Sequence, residues 1–297
     1  MNTINSIKFI VVILFVFLCN LYSQEDINYL QKGNKKLESG SYINAIKYYN
    51  SAIEINPNFA EAYYNRGSAY LELNEFASAI KDFSKAIELN KRDANAYNNR
   101  GISYFEIKEY ELAISDYNAA LLIQPDDIIT YYNRGNAFDA SKQYYSAISD
   151  YEKVISFRPD VTDALNSIGN VYRKLKKYDS AYFHYNTLIS CDPNNYEAYF
   201  NRANLNKFLK KYTEAENDYN TAIKLYPEYA SAYNNRGNLY LLKNEYNKAI
   251  NDFSKAIEIN SDYAYAYNNR GYAYSQINEN EKALKDFEMS ISLKSNN

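Results

Sequence analysis

The 297-residue sequence is poor in the residues that most catalytic and metal-binding sites require. It has no tryptophan, two cysteines and a single histidine, His184. One histidine cannot build a histidine-based metal cluster, and nothing around it indicates a catalytic triad. The glycines stand singly, so there is no glycine-rich phosphate loop. We therefore expect no catalytic residues, no metal site and no cofactor, and we do not expect an enzyme.

The sequence also lacks an excess of charge of either sign. Its 33 basic residues nearly balance 36 acidic ones, and there is no acidic tail. Without a basic field, we do not expect a nucleic-acid partner. Of the two cysteines, Cys19 lies in an N-terminal leader, which leaves Cys191 alone and excludes an internal disulfide in a mature chain. Cys191 stands where an apolar residue recurs in the other repeats described below, so we expect it to be buried.

The first 23 residues have the pattern of a secretory signal peptide. A short polar segment precedes an uninterrupted apolar run over 9–19, and the small residue Ser23 follows. The run is too short to cross a bilayer, so we predict cleavage after Ser23 and no membrane span in the mature chain. The protein would then be exported, to the periplasm or outside the cell. A lipoprotein leader modified at Cys19 is the alternative, but Leu18 stands where a small residue is required, so lipid anchoring is not expected.

The rest of the sequence repeats with a period of 34 residues. Gly33 lies one period before Gly67, and variants of one tripeptide fill 167–169 and 201–203. That tripeptide, Asn-Arg-Gly, stands at 65–67, 99–101, 133–135, 235–237 and 269–271. A fixed period of this length indicates a solenoid, in which each unit stacks only on its neighbours. Repeats one to eight fill 26–297 without insertion or deletion, at 26–59, 60–93, 94–127, 128–161, 162–195, 196–229, 230–263 and 264–297.

Within each repeat the residues are numbered here from position 1 to position 34, which places the glycine at position 8. Position 4 is tyrosine in seven repeats, while position 20 is alanine and position 24 is aromatic in all eight. Apolar steps of three, four and seven are helical, and turn residues near positions 14–16 divide each repeat into two helices. Proline at position 32 of five repeats ends the second helix. Small residues at positions 8 and 20 let the two helices approach, and aromatic rings fill the space beside them.

This pattern resembles that of the tetratricopeptide repeat family, with tyrosine at position 4 where the family usually has tryptophan. The matching residues are the aromatics, Gly, Tyr, Ala, Phe or Tyr, Ala and Pro at the family's spacings, and they cover nearly everything after the leader. The resemblance implies an all-α fold, a right-handed α-solenoid of about eight helix-turn-helix repeats. It also implies a scaffold for protein–protein interaction.

Arginine at position 7 and aspartate at position 23 occur together in six repeats and are both missing from the other two. Repeat five has Ile168 and His184 at these positions. In a hairpin that turns near position 15, positions 7 and 23 lie opposite each other. We therefore predict partly buried ion pairs within the repeats. The six pairs are Arg66–Asp82, Arg100–Asp116, Arg134–Asp150, Arg202–Asp218, Arg236–Asp252 and Arg270–Asp286.

The resemblance further implies that the first helix of each repeat lines a concave groove, into which positions 2, 5, 6, 9, 12 and 13 point. A row of asparagines at position 6 could hydrogen-bond the backbone of an extended peptide whatever its sequence. Aromatic residues at position 5 offer apolar contact. The alternative for the asparagines is a solvated helix face on which their side-chain amides hydrogen-bond from one helix to the next. The candidate partner-binding residues are Asn65, Asn99, Asn133, Asn201, Asn235, Asn269, Tyr64, Tyr132 and Phe200.

Positive charge gathers in a basic patch of repeats five and six, whereas the early repeats carry glutamates at comparable places. A bound segment with an acidic end would therefore have a preferred direction, although an ordinary charged turn is the alternative explanation. The basic patch comprises Arg173, Lys174, Lys176, Lys177, Lys207, Lys210 and Lys211.

Two functions fit these features. The first is an exported scaffold that binds peptide segments of a partner protein in its groove. The second is a structural subunit of a cell-envelope assembly, held through its ends or its convex face. Repeat eight keeps Phe287, Ile291 and Leu293 on its second helix, so we expect this end to pack on another chain, for which a second copy is one candidate.

Overall fold

The computed structural model describes residues 24–159 and 161–295, and within these ranges it contains helices and turns but no strand. The predicted leader, with Cys19 and the cleavage position after Ser23, lies outside the described residues. None of the helices in the described ranges is long and apolar enough to cross a membrane.

The chain forms two compact units, Met1–Val154 and Ile155–Asn297, and each is a series of helical hairpins. The predicted class, an all-α solenoid of about eight helix-turn-helix repeats, is confirmed. The first unit contains α1 (24–38), α2 (Tyr42–Ile55), α3 (Ala60–Glu72), α4 (Phe76–Leu89), α5 (Ala94–Glu106), α6 (Tyr110–Ile123) and α7 (Ile128–Ala140). Helix α8 (Tyr144–Phe157) includes the boundary. The second unit contains α9 (Thr162–Lys174), α10 (Tyr178–Cys191), α11 (Tyr196–Phe208), α12 (Tyr212–Leu225), α13 (Ala230–Leu242), α14 (Tyr246–Ile259), α15 (Ala264–Gln276) and α16 (Asn280–Ser295).

Each first helix ends at a left-handed residue at position 15. In repeat two this is Asn74, with φ 59°. Its N–H donates to the carbonyl of Leu71 at 2.9 Å, and the N–H of Glu75 donates to the carbonyl of Tyr70 at 2.8 Å. These two bonds form a Schellman motif, which satisfies carbonyls that the helix end leaves open. The left-handed residues are Gly40, Asn74, Lys108, Lys142, Lys176, Lys210, Asn244 and Asn278.

The core of each hairpin lies where position 8 of the first helix faces the aromatic ring at position 24 of the second. In repeat three, a Cβ added to Gly101 would lie 2.7 Å from Cε1 of Tyr117. That is closer than carbon atoms approach, so the ring as placed requires glycine. Repeat six has Ala203 at this position, and both Ala203 and its ring partner Tyr219 are fully buried. The close approach predicted from the small residues therefore occurs, and one repeat accommodates a methyl group within it.

The first helices form the inner layer of each unit. Helix α5 contacts both α3 and α7, and α11 and α13 likewise contact the first helices on either side of them. Second helices instead contact the first helices before and after them in the chain. Because first helices approach one another and second helices are spread further apart, the face made by the first helices is the concave one in each unit.

Cys191 is exposed, so the expectation that it is buried was wrong. It is the last residue of α10, where the helix leaves the core. The longer apolar side chains at the same position in other repeats, such as Leu89 and Ile123, are only half-buried. A side chain as short as cysteine does not reach back to the core from there.

Candidate functional site

The six predicted Arg–Asp pairs are all present, and the prediction is confirmed. In repeat three, Nε and Nη2 of Arg100 donate to the two carboxylate oxygens of Asp116 at 2.8 and 2.7 Å. The Arg100 and Asp116 side chains are 18% and 7% exposed, and the guanidinium lies 5.6 Å from the ring centre of Tyr97. Hydrogen bonds to Asp116 raise the pKa of Arg100 above its ordinary value. The pair is therefore a fixed, charged link between the two helices of one hairpin.

The remaining guanidinium nitrogen joins each of these repeats to the preceding one. Nη1 of Arg100 donates to Oγ of Ser84 on α4 at 3.0 Å, and Nη1 of Arg134 donates to Oδ1 of Asn118 at 2.6 Å. Position 25 supplies the acceptor in all six cases, from Asn50, Ser84, Asn118, Asn186, Asn220 and Ser254. Because all three nitrogens already have partners, these arginines are structural and are not offered to an anionic ligand.

Repeat five replaces this network with apolar and aromatic packing. Ile168 is fully buried, and the ring of His184 stacks on Tyr172 with 5.4 Å between ring centres. Nδ1 of His184 is buried and has no hydrogen-bond partner among the described residues. Burial lowers the pKa of His184 below its ordinary value, which favours the neutral ring.

The asparagine row at position 6 forms a ladder between repeats. Nδ2 of Asn65 donates to Oδ1 of Asn34 at 2.9 Å, and Nδ2 of Asn201 donates to Oδ1 of Asn166 at 2.8 Å. Each of the six donates one N–H to position 5 or position 9 of the preceding repeat; the other four are Asn99, Asn133, Asn235 and Asn269. Hydrogen bonds from helix to helix, the alternative role of these asparagines, are therefore present. They use one N–H of each side chain.

Part of the hydrogen-bonding capacity of this row is left over. The Oδ1 atoms of Asn99 and Asn235 accept bonds from Asn98 and Asn234 at 3.2 Å. Four other members of the row show no such acceptance from the described part of the chain, namely Asn65, Asn133, Asn201 and Asn269. Each of these four oxygens is accessible to solvent, since none is both buried and without a hydrogen-bond partner. Each can accept a hydrogen bond from a ligand while its N–H keeps the ladder intact.

Buried tyrosines at position 24 donate hydrogen bonds from their hydroxyls to asparagines on the same face. The hydroxyl of Tyr219 donates to Oδ1 of Asn204 at 2.7 Å, and Oδ1 of Asn204 also accepts from Nδ2 of Asn235 at 2.9 Å. The same tyrosine-to-asparagine bond occurs in repeats one, four and five. Asparagine at position 9 accompanies tyrosine at position 24 in these four repeats, a sequence signal from which this bond could have been predicted.

The three aromatic residues at position 5 are half-buried, because each packs on the ring at position 24 of its own repeat. Ring centres are 5.8 Å apart for Tyr64 and Phe83, and 5.7 Å for Tyr132 and Tyr151. The ring centre of Phe200 lies 6.1 Å from that of Tyr219 at position 24, and 4.9 Å from that of Tyr229. Only the outer edges of these rings are available to a partner.

The basic patch separates into two groups in the structure. Lys176 and Lys210 are the left-handed residues of two turns, and Lys211 lies over the ring of Tyr182 at 5.5 Å. Lys174 and Lys177 both interact with other groups of the protein. Arg173 and Lys207 instead line a cavity of about 400 Å³ on the first-helix face, together with Tyr178, Asn204, Phe208 and Leu242. Burial lowers the pKa of Lys207 below its ordinary value.

The second helix of repeat eight exposes apolar residues that inner repeats cover. Leu284 and Ile291 are 60% and 68% exposed, whereas Ile114 and Leu121, at the same positions in repeat three, are each 7% exposed. The following repeat covers these positions in repeat three. No described residue does so in repeat eight.

The comparisons with known proteins agree with this architecture. Family models described as tetratricopeptide repeat match 60–93, 94–127, 129–161, 162–195, 184–217, 230–263 and 264–297. A model described as TPR repeat matches 33–74 and 209–244. No curated protein sequence matches the chain.

Solved structures of repeat proteins are similar to parts of the chain or to most of it. A crystal structure of MamA is 28% identical with a TM-score of 0.53, and the match covers 54% of this chain and 94% of that one. A tetratricopeptide repeat protein from Parabacteroides merdae is 22% identical with a TM-score of 0.70, covering 84% of this chain and 99% of that one. PilF from Pseudomonas aeruginosa is 22% identical with a TM-score of 0.57, covering 69% and 94%. The last two likenesses concern the fold alone.

Proposed function

The chain belongs to the tetratricopeptide repeat family, and we propose that it is an exported scaffold whose first-helix face binds extended segments of partner proteins. Family membership makes it a protein–protein interaction scaffold, and repeats of this family are typically not enzymes. Export and the use of the concave face are the parts that we propose.

The observation that carries the proposal is the unused acceptor capacity of the asparagine row. Asn65 and Asn133 in the first unit, and Asn201 and Asn269 in the second, each present an Oδ1 that accepts nothing from the described residues. An extended peptide has backbone N–H groups that need such acceptors. The ladder fixes each amide through its N–H, so its orientation is set before a peptide arrives. Such preorganisation lowers the entropy lost on binding.

Photo-crosslinking at matched positions tests which face binds. A benzoylphenylalanine replacing Phe208 would stand on the first-helix face, where Phe208 is 64% exposed. The control replaces Leu122, which is 85% exposed on the second helix α6. We expect partner proteins to be crosslinked in cells from the first site and not from the second. Crosslinks from the Leu122 site alone would contradict the proposal.

Direct replacement of the asparagines needs a control for the ladder. Changing Asn65, Asn133, Asn201 and Asn269 together to Ala removes the four unused acceptors but also bonds between repeats. Thermal unfolding of this variant therefore has to be measured beside partner capture. Wild-type capture by a folded variant would show that the row does not bind.

The proposed export rests on the leader pattern alone, and mass spectrometry of the protein recovered outside the cytoplasm tests it. We expect an N-terminus at or near Gln24 without an acyl group. An acylated Cys19, or a chain that keeps residues 1–23, would contradict this.

A second candidate function, the structural subunit of an envelope assembly, is favoured by the exposed apolar residues Leu284 and Ile291. In that function the end of repeat eight would pack on another chain, and a second copy is the candidate tested first. Light scattering at high protein concentration decides this point, since a monomer mass would argue against self-association.

A further inference from the structure

The cavity in repeats five to seven is a local departure from the repeat pattern. Position 13 is Glu38, Glu72 and Glu106 in repeats one to three, but Phe208 and Leu242 in repeats six and seven. Position 12 is apolar in the same early repeats, but it is Arg173 in repeat five and Lys207 in repeat six. The hairpin fold does not require these residues, because the other repeats form the same hairpins without them.

Three hydrogen-bond donors converge on this cavity. Arg173 and Lys207 both line it, and in the part of the chain that the structure describes their side chains contact tyrosines, not carboxylates. Arg173 hydrogen-bonds Tyr185, and Nζ of Lys207 lies 5.9 Å from the ring centre of Tyr219. Asn204 completes the set. Its Oδ1 is fully used by Tyr219 and Asn235, which leaves its Nδ2 group without a described acceptor. Two positive charges and an amide N–H therefore surround a space that contains no carboxylate.

Exposed apolar side chains stand directly beside these donors. Phe208 is 64% and Leu242 57% exposed, and the ring of Phe208 lies 5.2 Å from that of Tyr178 between centres. An apolar wall next to paired cations matches a ligand that is acidic at one point and apolar at the next.

We propose that this cavity binds an Asp or Glu side chain, with an adjacent aromatic or aliphatic residue, of an extended peptide segment that passes along the first-helix face. The proposal rests on the proposed function, since it assigns the part of that face that selects the partner. Arg173, Lys207 and Asn204 hold the carboxylate, and Phe208, Tyr178 and Leu242 contact the apolar neighbour.

The position of the cavity favours an internal acidic residue over a chain terminus. Asn201 of the position 6 row lies on α11, the helix that also supplies Asn204, Lys207 and Phe208 to the cavity, and Asn269 lies beyond it in repeat eight. A peptide backbone bound to both would run through the cavity region and continue toward repeat eight. The carboxylate in the cavity would then come from a side chain.

Selection from a displayed library tests the chemistry without a known partner. The full chain is immobilised, and random twelve-residue peptides are fused through their C-termini to a coat protein, so that no free terminal carboxylate is present. We expect enriched peptides to share an Asp or Glu next to an apolar residue. Enrichment of peptides without an acidic residue would overturn this inference and leave the proposed function standing, whereas no enrichment at all would count against both.

Affinities of one enriched peptide, acetylated and amidated, then test the residues by fluorescence anisotropy. Arg173→Gln and Lys207→Gln should each weaken binding by roughly 10- to 100-fold, the usual effect of losing one charge-assisted hydrogen bond. The control is Lys176→Gln with Lys210→Gln, which removes two charges from the adjacent turns and should change affinity less than about threefold. Circular dichroism confirms that each variant is folded.

Two results would overturn the inference at this stage. One is equal weakening by the cavity and turn variants, which would indicate a diffuse effect of charge. The other is tighter binding of the same peptide when its own C-terminal carboxylate is free and its acidic side chain is replaced by an amide, which would assign the cavity to a chain terminus.

Discussion

The pair of Arg100 and Asp116 should contribute a coupling free energy that a double-mutant cycle can measure. Arg100→Ala leaves the 7%-exposed Asp116 without its two donors and also removes the bond to Ser84. Removing one partner of a buried pair costs about 3–5 kcal/mol, against about 0–1 kcal/mol at the surface. The low exposure of both side chains places this pair nearer the buried case, so we expect about 3–4 kcal/mol.

The reverse change should cost less. Asp116→Ala leaves Arg100 with 18% of its side chain exposed, the bond to Ser84 and the ring of Tyr97 nearby. We expect about 2 kcal/mol, since the guanidinium keeps water and other partners. The double variant should cost about as much as Arg100→Ala alone. The coupling between the two residues is then about 2 kcal/mol.

Urea unfolding of the full chain, followed by far-ultraviolet circular dichroism, measures the three variants against the parent protein. Ser84→Ala is the matched control, because it removes only the bond between repeats and should cost about 1 kcal/mol. Repeating the cycle in high salt should change the coupling little, since buried pairs are poorly screened. Additive single effects, with a coupling below about 0.5 kcal/mol, would refute the reasoning.

Three further predictions concern the framework. Gly101→Ala should destabilise the chain by about 1–3 kcal/mol, because its Cβ would overlap the ring of Tyr117; an unchanged urea midpoint would contradict this. Lys108→Gly should stabilise it by about 1 kcal/mol, because glycine adopts the φ of 66° without strain; a lower melting temperature would speak against it. His184 should titrate below its ordinary pKa. The unfolded chain then takes up the proton first, so stability falls as the pH drops below about 6.5. The single histidine signal in a nuclear magnetic resonance titration reports that pKa directly, and a value at or above 6.5 would contradict the prediction.

The framework could be predicted from the sequence because its signals recur in many copies. The co-occurrence of position 7 arginine and position 23 aspartate predicted the ion pairs, since an antiparallel hairpin places those positions opposite each other. The same argument could have found the acceptor at position 25, because Ser84 and Asn118 each precede a repeat that has the arginine. The turn between the two helices could be predicted from turn-like residues near positions 14–16, but its conformation could not. A lysine at position 15 gives no indication of a left-handed backbone conformation.

The candidate site was less accessible to prediction because it is not periodic. Charge density in the sequence grouped Arg173 and Lys207 with lysines such as Lys176 and Lys210. Separating them required knowledge of which side chains line the cavity and which stand in turns. Exposure at a helix end was also unpredictable for Cys191, since its position is apolar in other repeats but lies at the edge of the core. The sequence also could not show which oxygens of the asparagine row are unused. That depends on whether each hydrogen bond involves the oxygen or the nitrogen of the side-chain amide, and residue identity does not specify this.

The bonds between repeats have a consequence for how the gene can change. The bonds of the position 7 arginines and the position 6 asparagines join recurring positions of consecutive repeats, so a recombination event that removes one whole period joins surfaces that already match. Loss of 94–127 would bring Arg134 to Ser84, the serine that Arg100 uses now, and Asn133 to Tyr64, the present acceptor of Asn99. Arg134 and Asn133 would both keep a hydrogen-bond acceptor in the preceding repeat, so length could vary in steps of one repeat. A deletion that is not a whole number of repeats would instead place unlike residues opposite each other.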